Sequence, residues 1–409
     1  NVSLSVFISD VYVLLFEDCV FFFLLKERKK LFYKKAKTYL KCYNKLYFSN
    51  SQILIYMKKL VLFCGIFILL MSFRTFNYKT EVSYSSGFTS MTIDTLFKDK
   101  ISIRAILIDK NKVWYGADNS RFGYYDLDKK EKFEEHIYRD TLKLEFRSIA
   151  QTSKNVFLLS VANPALLYSV DKKDKKVKLV YKEINPKVFY DSMQFWNDKE
   201  GIAIGDPTED TFSIIVTRDG GETWTKILSD KLPTNAVGEA AFAASNTNIV
   251  IKGNDTWLVS GGKKARVFYS ADKAKTWKVV ETPIVQGKAM TGIFTADFYD
   301  SKHGFIAGGD YEIPSRKVDN KAFTKDGGKT WELIGQNMGF GYASCVQYVP
   351  GGNGKEIICV GSEGIQYSQN GGENWTQLST DTKFFTVRFI NRNTAIAAGH
   401  NKVVRLNFK

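Results

Sequence analysis

The stretch TRDGGETW, residues 217–224, has three further versions downstream, and this repetition decides the fold class. The other copies are SADKAKTW (270–277), TKDGGKTW (324–331) and SQNGGENW (368–375). Their final tryptophans are separated by 53, 54 and 44 residues. One motif in each unit of about 50 residues is typical of repeat architectures. The spacing therefore predicts a series of similar units.

Each octet is predicted to form a hairpin turn, because β-forming stretches such as FSIIVT and WTKIL flank the first copy. Gly220 and Gly221 can adopt positive φ, and Asp219 can accept hydrogen bonds from backbone N–H groups. Trp224 supplies an apolar ring to pack between units. The second copy lacks the glycines, and Asn370 replaces the aspartate in the last, which favours a structural over a catalytic role. The same structural role is predicted for Asp272, Trp277, Asp326, Trp331 and Trp375.

The octets resemble the Asp-box, or bacterial neuraminidase repeat, S/T-x-D-x-G-x-T-W. That resemblance implies a β-propeller whose boxes lie on outer hairpins, away from the ligand-binding face. Phrases such as EGIAIGDP and EAAFAASN are similar to photosystem II assembly and stability factor-like propellers exported by non-photosynthetic bacteria. This likeness concerns the scaffold and does not imply a photosystem partner.

Seven phrases align as the innermost strands of successive units within residues 81–409. They are SIRAILID (102–109), EFRSIAQT (145–152), FYDSMQFW (189–196), GEAAFAAS (238–245), IFTADFYD (293–300), ASCVQYVP (343–350) and FTVRFINR (385–392). The expected fold is all-β, a seven-bladed propeller of four-stranded blades with about 47 residues per blade. The last unit is short, so we expect the N-terminal strand MTIDTLF (91–97) to complete the last blade and close the ring.

The N-terminal region is expected to be separate from the propeller. Residues 1–56 contain no methionine and are interpreted as spurious upstream translation without an evolved structure. Residues 57–76 begin MKKLVLFCGIFILLMSF, with two lysines and then an apolar run, which is typical of a secretory signal peptide. We therefore expect an exported protein, periplasmic, on the cell surface or secreted, with no membrane span in its mature chain.

Charge and cysteine content exclude several classes of function. Residues 1–76 hold 12 of the 58 basic and 4 of the 43 acidic residues, so the remainder carries about +7 of the total +15. Basic residues form no stripe, so no nucleic-acid partner is expected. No metal or cofactor motif is present. Cys345 and Cys359 are predicted to be buried free thiols, with a disulfide as the alternative.

The candidate site is a polar mouth built from the starts of the inner strands and from the loops that join second to third strands. The aligned strand starts are Arg104, Arg147, Asp191 and Glu239, followed by Phe294, Ser344 and Phe385 in the later units. The loops contribute Asp206 and Asp310, with Asp118 and His400 at equivalent positions. Two arginines beside acids favour binding of a polar or anionic ligand or a partner's loop. The alternative is a structural role, in which these charged side chains form ion pairs with one another along the central channel.

Three functions are compared. A non-catalytic binding or assembly scaffold, expected to be monomeric, agrees with the absence of a complete catalytic constellation. A sialidase-like glycoside hydrolase is the alternative, because Asp-boxes accompany such enzymes and paired carboxylates perform acid–base catalysis. The sialidase phrase F-R-I-P is reduced to FRSI at 146–149, and no three-arginine set is assignable. An oxidoreductase lacks any supporting motif.

Overall fold

The computed structural model describes residues 87–138 and 141–409. The predicted upstream segment, the predicted signal peptide and the first six residues of the predicted propeller lie outside the described residues. In the described part of the chain, no helix has the length and apolar character that a membrane span requires.

The regular secondary structure of the described residues is β-strand, apart from one short 3₁₀-helix at Ser229–Lys231. The first strands are β1 (Met91–Asp109), β2 (Lys112–Ala117), β3 (Arg121–Asp126), β4 (Glu131–His136), β5 (Phe146–Gln151), β6 (Asn155–Ser160), β7 (Ala165–Asp171), β8 (Val177–Glu183), β9 (Tyr190–Phe195), β10 (Gly201–Gly205), β11 (Ser213–Thr217), β12 (Thr225–Lys226), β13 (Glu239–Ala240) and β14 (Ile249–Lys252). The remaining strands are β15 (Asp255–Val259), β16 (Gly261–Gly262), β17 (Arg266–Ser270), β18 (Lys278–Glu281), β19 (Thr291–Phe298), β20 (Gly304–Asp310), β21 (Lys321–Thr324), β22 (Glu332–Leu333), β23 (Ala343–Tyr348), β24 (Ile357–Gly361), β25 (Gly364–Ser368), β26 (Thr376–Ser379), β27 (Phe384–Asn391) and β28 (Thr394–Phe408).

These strands pair antiparallel into six hydrogen-bonded sheets. Four sheets have four strands: sheet II (β5-β6-β7-β8), sheet III (β12-β11-β10-β9), sheet IV (β14-β15-β17-β18) and sheet VI (β23-β24-β25-β26). Two sheets have six strands: sheet I (β27-β28-β1-β2-β3-β4) and sheet V (β13-β16-β19-β20-β21-β22). The structure is therefore an all-β propeller with six blades, each blade being one such sheet.

The prediction of seven four-stranded blades is wrong, and the reason is the length of β1. Residues 91–109 form one uninterrupted strand. Its first part pairs with β28, from Met91 opposite Phe408 to Ser102 opposite His400, and its last part pairs with β2. The first and last sequence units therefore share a strand and belong to one sheet instead of two. Residues 91–97 do not complete a separate seventh blade.

The fourth predicted inner strand, GEAAFAAS, also differs in the structure. Only Glu239 and Ala240 of this phrase are in a strand, and that short strand pairs with Gly261–Gly262 in sheet V. The first strand of sheet IV is instead β14, Ile249–Lys252. Residues 241–248 leave the sheets altogether, with consequences for the site described below.

The hydrophobic core is divided into clusters between neighbouring sheets. One cluster joins sheets I and II through side chains such as Trp114, Phe146 and Leu158. Another joins sheets VI and I through Val360, Val387 and others, and includes Phe88 from the segment before β1. Cys345 opposes Val360 and Cys359 opposes Val346, so the two thiols belong to different clusters on opposite faces of sheet VI. Both are buried and free, as predicted.

The octets close the hairpins between third and fourth strands. In the first copy Asp219 accepts hydrogen bonds from the backbone N–H of Thr223 at 3.0 Å and from its hydroxyl at 2.6 Å. The Thr217 hydroxyl donates to Asp219 and accepts from the N–H of Gly221. Trp224 is buried and packs edge-on against Phe195 at 5.7 Å. The side chains of Thr217 and Asp219 are thus engaged within the turn, whereas Arg218 donates outside it, to Glu200 and to the carbonyl oxygen of Lys273.

The later octets repeat this arrangement to different extents. Asp272 and Asp326 accept the same pairs of bonds from Thr276 and Thr330. Partial burial opposes ionisation of both aspartates, but the hydrogen bonds from the threonines outweigh it and lower the pKa of each to about 2. In the fourth copy Asn370 accepts the backbone N–H of Asn374 at 3.0 Å and the Ser368 hydroxyl at 3.1 Å.

Candidate functional site

One face of the propeller carries the sequence-predicted site. Because successive strands are antiparallel, the octets and the loops joining first to second strands leave at one face. The loops joining second to third strands and the connections between sheets leave at the other, which we call the mouth face. Residues 206–212 and 311–320 are two of its loops, and β5 and β9 start at it.

Arg104 and Arg147 are close neighbours at the mouth face. Arg147 makes a two-pronged ion pair with Glu145, with distances of 2.8 and 3.0 Å, and both side chains are partly exposed. The Arg104 guanidinium lies 3.8 Å from the centre of the Phe385 ring and donates to the carbonyl oxygen of Ala244 at 3.3 Å. Burial and then the like charge of Arg147 lower the pKa of Arg104. Two adjacent guanidinium groups favour an anionic group from outside.

Asp191 and Asp206 form a pair of neighbouring carboxyl groups beside Arg147. The side chain of Asp191 is fully buried, and neither of its oxygens has a hydrogen bond of normal geometry. Burial and then the charge of Asp206 raise the pKa of Asp191 well above its usual range, while Arg147 and the backbone N–H of Ala243 oppose this rise. Asp206 accepts the N–H of Ala241 at 2.8 Å, and burial raises its pKa to about 6.

Glu239 is engaged elsewhere, on sheet V. Its carboxylate pairs with both Arg266 Nε and Nη2 and accepts the Ser260 hydroxyl at 2.6 Å and the Ala236 N–H at 2.9 Å. Its negative charge is therefore matched locally. The sequence alignment that placed Glu239 beside Asp191 fails because residues 241–248 do not form a strand.

The other loop residues have local structural partners. Asp310 accepts the N–H groups of Glu312 and Ile313 at 3.0 and 3.2 Å, and Lys288 lies 3.6 Å away. Asp118 accepts from Arg121 at 2.7 Å. His400 is exposed, with its ring 4.6 Å from that of Phe385. Of the predicted site residues, the structure thus brings together Arg104, Arg147, Asp191 and Asp206.

An aromatic cluster at the mouth face was missed by the sequence analysis, apart from Phe294. The Phe242 ring stacks on Phe294 at 3.9 Å with an interplanar angle of 7°. Tyr342 packs edge-on against Phe294 at 4.9 Å and against Tyr311 at 5.1 Å. Tyr311 and Tyr342 also lie near enough to Arg104 to raise its pKa. Tyr311 directly follows the predicted loop residue Asp310, and this position was the signal in the sequence that could have indicated the cluster.

Exposed apolar side chains are concentrated at the same face. Of ten large hydrophobic residues that are exposed in the described part of the chain, eight lie in mouth-face loops: Tyr138, Leu142, Ile184, Leu228, Val237, Tyr311, Ile313 and Met338. Val237 is 97% exposed and Tyr138 is 83% exposed. Tyr299 lies on the opposite face, and Ile93 lies within β1. Apolar side chains clustered on a surface mark interaction sites.

Residues 244–247 occupy the propeller axis, and we call them the axial segment. Asn246 bonds both β5 and β9, through the carbonyl of Ile149 and the N–H of Met193. The remaining contacts extend to β1, β19, β23 and β27: they are Arg104 to Ala244, Thr247 to Thr295, Ser245 to Ser344, and Thr386 and Arg388 to the carbonyl of Ser245. The described residues include no cluster of His, Cys, Asp or Glu that could hold a metal ion.

Comparison with known proteins supports the fold alone. No protein-family model and no curated protein matches the chain. YCF48 bound to a D1 peptide is 12% identical with a TM-score of 0.56, over 80% of this chain and 97% of that one. The WD40 propeller domain of Doa1 is 13% identical with a TM-score of 0.54, over 80% and 98%. The GH74 xyloglucanase from Xanthomonas campestris is 10% identical with a TM-score of 0.57, over 77% of this chain and 53% of that one.

Proposed function

We propose that this chain is a non-catalytic β-propeller that binds a protein partner through its mouth face. The observation that carries the proposal is the concentration of exposed apolar side chains in the loops of that face. Tyr311 connects this apolar surface to the aromatic cluster and to Arg104. Aromatic and arginine side chains surrounded by apolar contacts contribute most of the binding energy at protein interfaces.

The partner segment is expected to carry an acidic group beside apolar side chains. Arg147 is 26% exposed and Glu145 is 33% exposed, so a partner carboxylate can reach the guanidinium and compete with Glu145. The solved structure of YCF48 contains a D1 peptide, which supports peptide binding as one use of a similar fold.

The proposal is tested with a phage-displayed random peptide library selected on the parent protein. Selected peptides should bind Arg147→Ala and Tyr311→Ala at least about tenfold more weakly, which corresponds to about 1.4 kcal/mol. Arg218→Ala is the matched control, because Arg218 lies in an octet on the opposite face and pairs with Glu200. Peptides that lose binding only in the control variant would overturn the proposal.

The alternative, a glycoside hydrolase, has one observation in its favour, the neighbouring carboxyl groups of Asp191 and Asp206 with raised pKa values. Against it, Asp191 has no exposed surface for contact with a sugar. We expect no turnover of aryl glycosides by the parent protein. Turnover that disappears in Asp206→Asn and Asp191→Asn would favour the hydrolase.

We also propose that the protein is exported, on the basis of the signal-like stretch that begins at Met57. The mature chain should then begin after the apolar run, around residues 73–80. Mass spectrometry of the protein recovered outside the cytoplasm measures this directly. A mature chain that retains residues before Met57 would contradict both the export proposal and the interpretation of residues 1–56.

A further inference from the structure

Residues 241–247 enter the propeller axis from the mouth face and are held differently at their two ends. The deep end, the axial segment, is fixed by hydrogen bonds to several sheets. Asn246 contributes two of them, at 2.9 Å to Met193 and 2.8 Å to Ile149. Ser245 adds a bond of 2.6 Å to the carbonyl oxygen of Ser344. This end is buried and has many partners, so we expect it to stay in place while the protein is folded.

The outer end, residues 241–243, has few and different contacts, and we call it the strap. Its Ala241 N–H donates to the Asp206 carboxyl at 2.8 Å. Its Ala243 N–H lies beside Asp191. The half-buried Phe242 ring between them stacks on Phe294 at 3.9 Å. The backbone amides of the strap therefore cover the carboxyl groups of Asp191 and Asp206, and its Phe242 ring covers Phe294.

The charges around the strap are few. Residues 241–247 read AFAASNT and contain no titratable side chain. From β5, Arg147 faces Asp191, and Arg147 is itself paired with Glu145. From β1, Arg104 lies beside Arg147 and donates to Ala244. One arginine that is already paired thus faces Asp191, whose neighbour Asp206 is the second carboxyl group, and neither oxygen of Asp191 has a hydrogen bond of normal geometry.

We propose that the strap is a pH-sensitive cover, closed over Asp191 and Asp206 under mildly acidic conditions and opening as the pH rises through neutrality. A buried carboxyl pair is most stable under the strap when it holds its protons, because ionisation places like charges together out of contact with water. Opening the strap exposes the pair to water and favours ionisation.

Proton linkage gives the direction in which pH changes the stability of the closed strap. Both carboxyl groups have a raised pKa in the closed form, and exposure returns them toward the ordinary aspartate value of about 3.9. The closed form therefore binds more protons than the open form between about pH 4 and the raised values. Its stability is fully present at low pH and falls as the pH increases across that window. Opening would uncover Phe294 and Ala244 at the mouth face. Any effect on partner binding rests on the proposed function, whereas the strap itself does not.

Hydrogen exchange measured by mass spectrometry tests the strap without a ligand. Protection of a peptide covering residues 238–244, corrected for the intrinsic rate at each pH, should fall at least about tenfold between pH 5.5 and 7.5, since one coupled proton changes an equilibrium tenfold per pH unit. Protection of a peptide covering Asn246 and Thr247 should change less.

Isosteric variants identify the groups responsible. Asp191→Asn and Asp206→Asn remove ionisation at either carboxyl, so each should flatten the pH dependence and keep the strap protected at pH 7.5. Asp310→Asn is the control, because Asp310 is a buried mouth-face carboxyl bonded to the backbone of Glu312 and Ile313. Protection that is independent of pH in the parent, or a pH dependence that both variants retain, would overturn the proposal.

Discussion

The side-chain oxygen of Asn246 accepts a hydrogen bond from the backbone N–H of Met193 at 2.9 Å, 53 residues away in sequence. The amide nitrogen of the same side chain donates to the carbonyl of Ile149 at 2.8 Å. Asn246 thereby links β5 and β9 from the axis. Its backbone has a φ of 60°, which asparagine tolerates better than most residues.

Asn246→Ala should destabilise the protein by about 2–6 kcal/mol, because two buried backbone groups lose their partners at about 1–3 kcal/mol each. Chemical denaturation measures the change. Asn401→Ala is the control, since Asn401 has a similar φ of 62° but is exposed. Equal losses in the two variants would assign the effect to backbone strain and contradict the bridging role.

Phe88→Ala tests the contribution of the segment before β1 to ring closure. Phe88 is 7% exposed and stacks on Phe408 at 4.7 Å, next to Tyr367 at 5.0 Å. Removal of a buried phenylalanine ring costs about 3–5 kcal/mol. Thermal unfolding should show this loss, and Tyr138→Ala, at an exposed mouth-face position, should unfold like the parent. An unchanged melting temperature for Phe88→Ala would show that this segment does not stabilise the ring.

The octet carboxylates should stabilise the fold in a pH-dependent manner. Hydrogen bonds lower the pKa of Asp326 to about 2, so its contribution is present above the unfolded value of about 3.9 and is lost as the pH falls through about 2. Asp326→Ala should cost on the order of 1–3 kcal/mol at pH 7, with a smaller cost at pH 2.5. Asn370→Ala is the control, because the residue at the aspartate position of that octet cannot titrate, so its cost should vary with pH less than that of Asp326→Ala.

Lys321 is fully buried, donates to the Asn320 side chain at 2.9 Å and lies 5.0 Å from the centre of the Phe340 ring. Burial lowers its pKa to about 8. The unfolded chain then binds more protons above that value, so the free energy of unfolding should rise with pH between about 8 and 10. Lys321→Met should remove this rise. Lys325→Met, at an exposed lysine over the Phe323 ring, should keep it; a rise that persists in Lys321→Met would refute the assignment.

Local features were predicted from the sequence because local interactions determine them. The octet turns depend on hydrogen bonds within eight residues, as Asp219 and Thr223 show. The number of blades was not predicted correctly. Whether residues 98–101 interrupt a strand or continue it depends on partners at the other end of the propeller sequence, such as His400 opposite Ser102.

The site was predicted in part for a similar reason. Arg147 and Asp191 start regular inner strands, so an alignment placed them together correctly. Glu239 was misplaced because the small and apolar residues that follow it resemble a strand, whereas they enter the axis and bond to other sheets. A hydrophobic sequence pattern indicates that a segment is buried. The axial segment is as buried as a strand, so the pattern did not distinguish the two.

Site-specific photo-crosslinking in the native host tests the central claim, that the mouth face binds a protein partner. A photoreactive phenylalanine analogue is placed at Val237 on the mouth face and, in a separate variant, at Tyr299 on the opposite face. We expect a discrete protein adduct from position 237 that Arg147→Ala weakens, and no such adduct from position 299. An adduct from position 299 with none from position 237 would contradict the account.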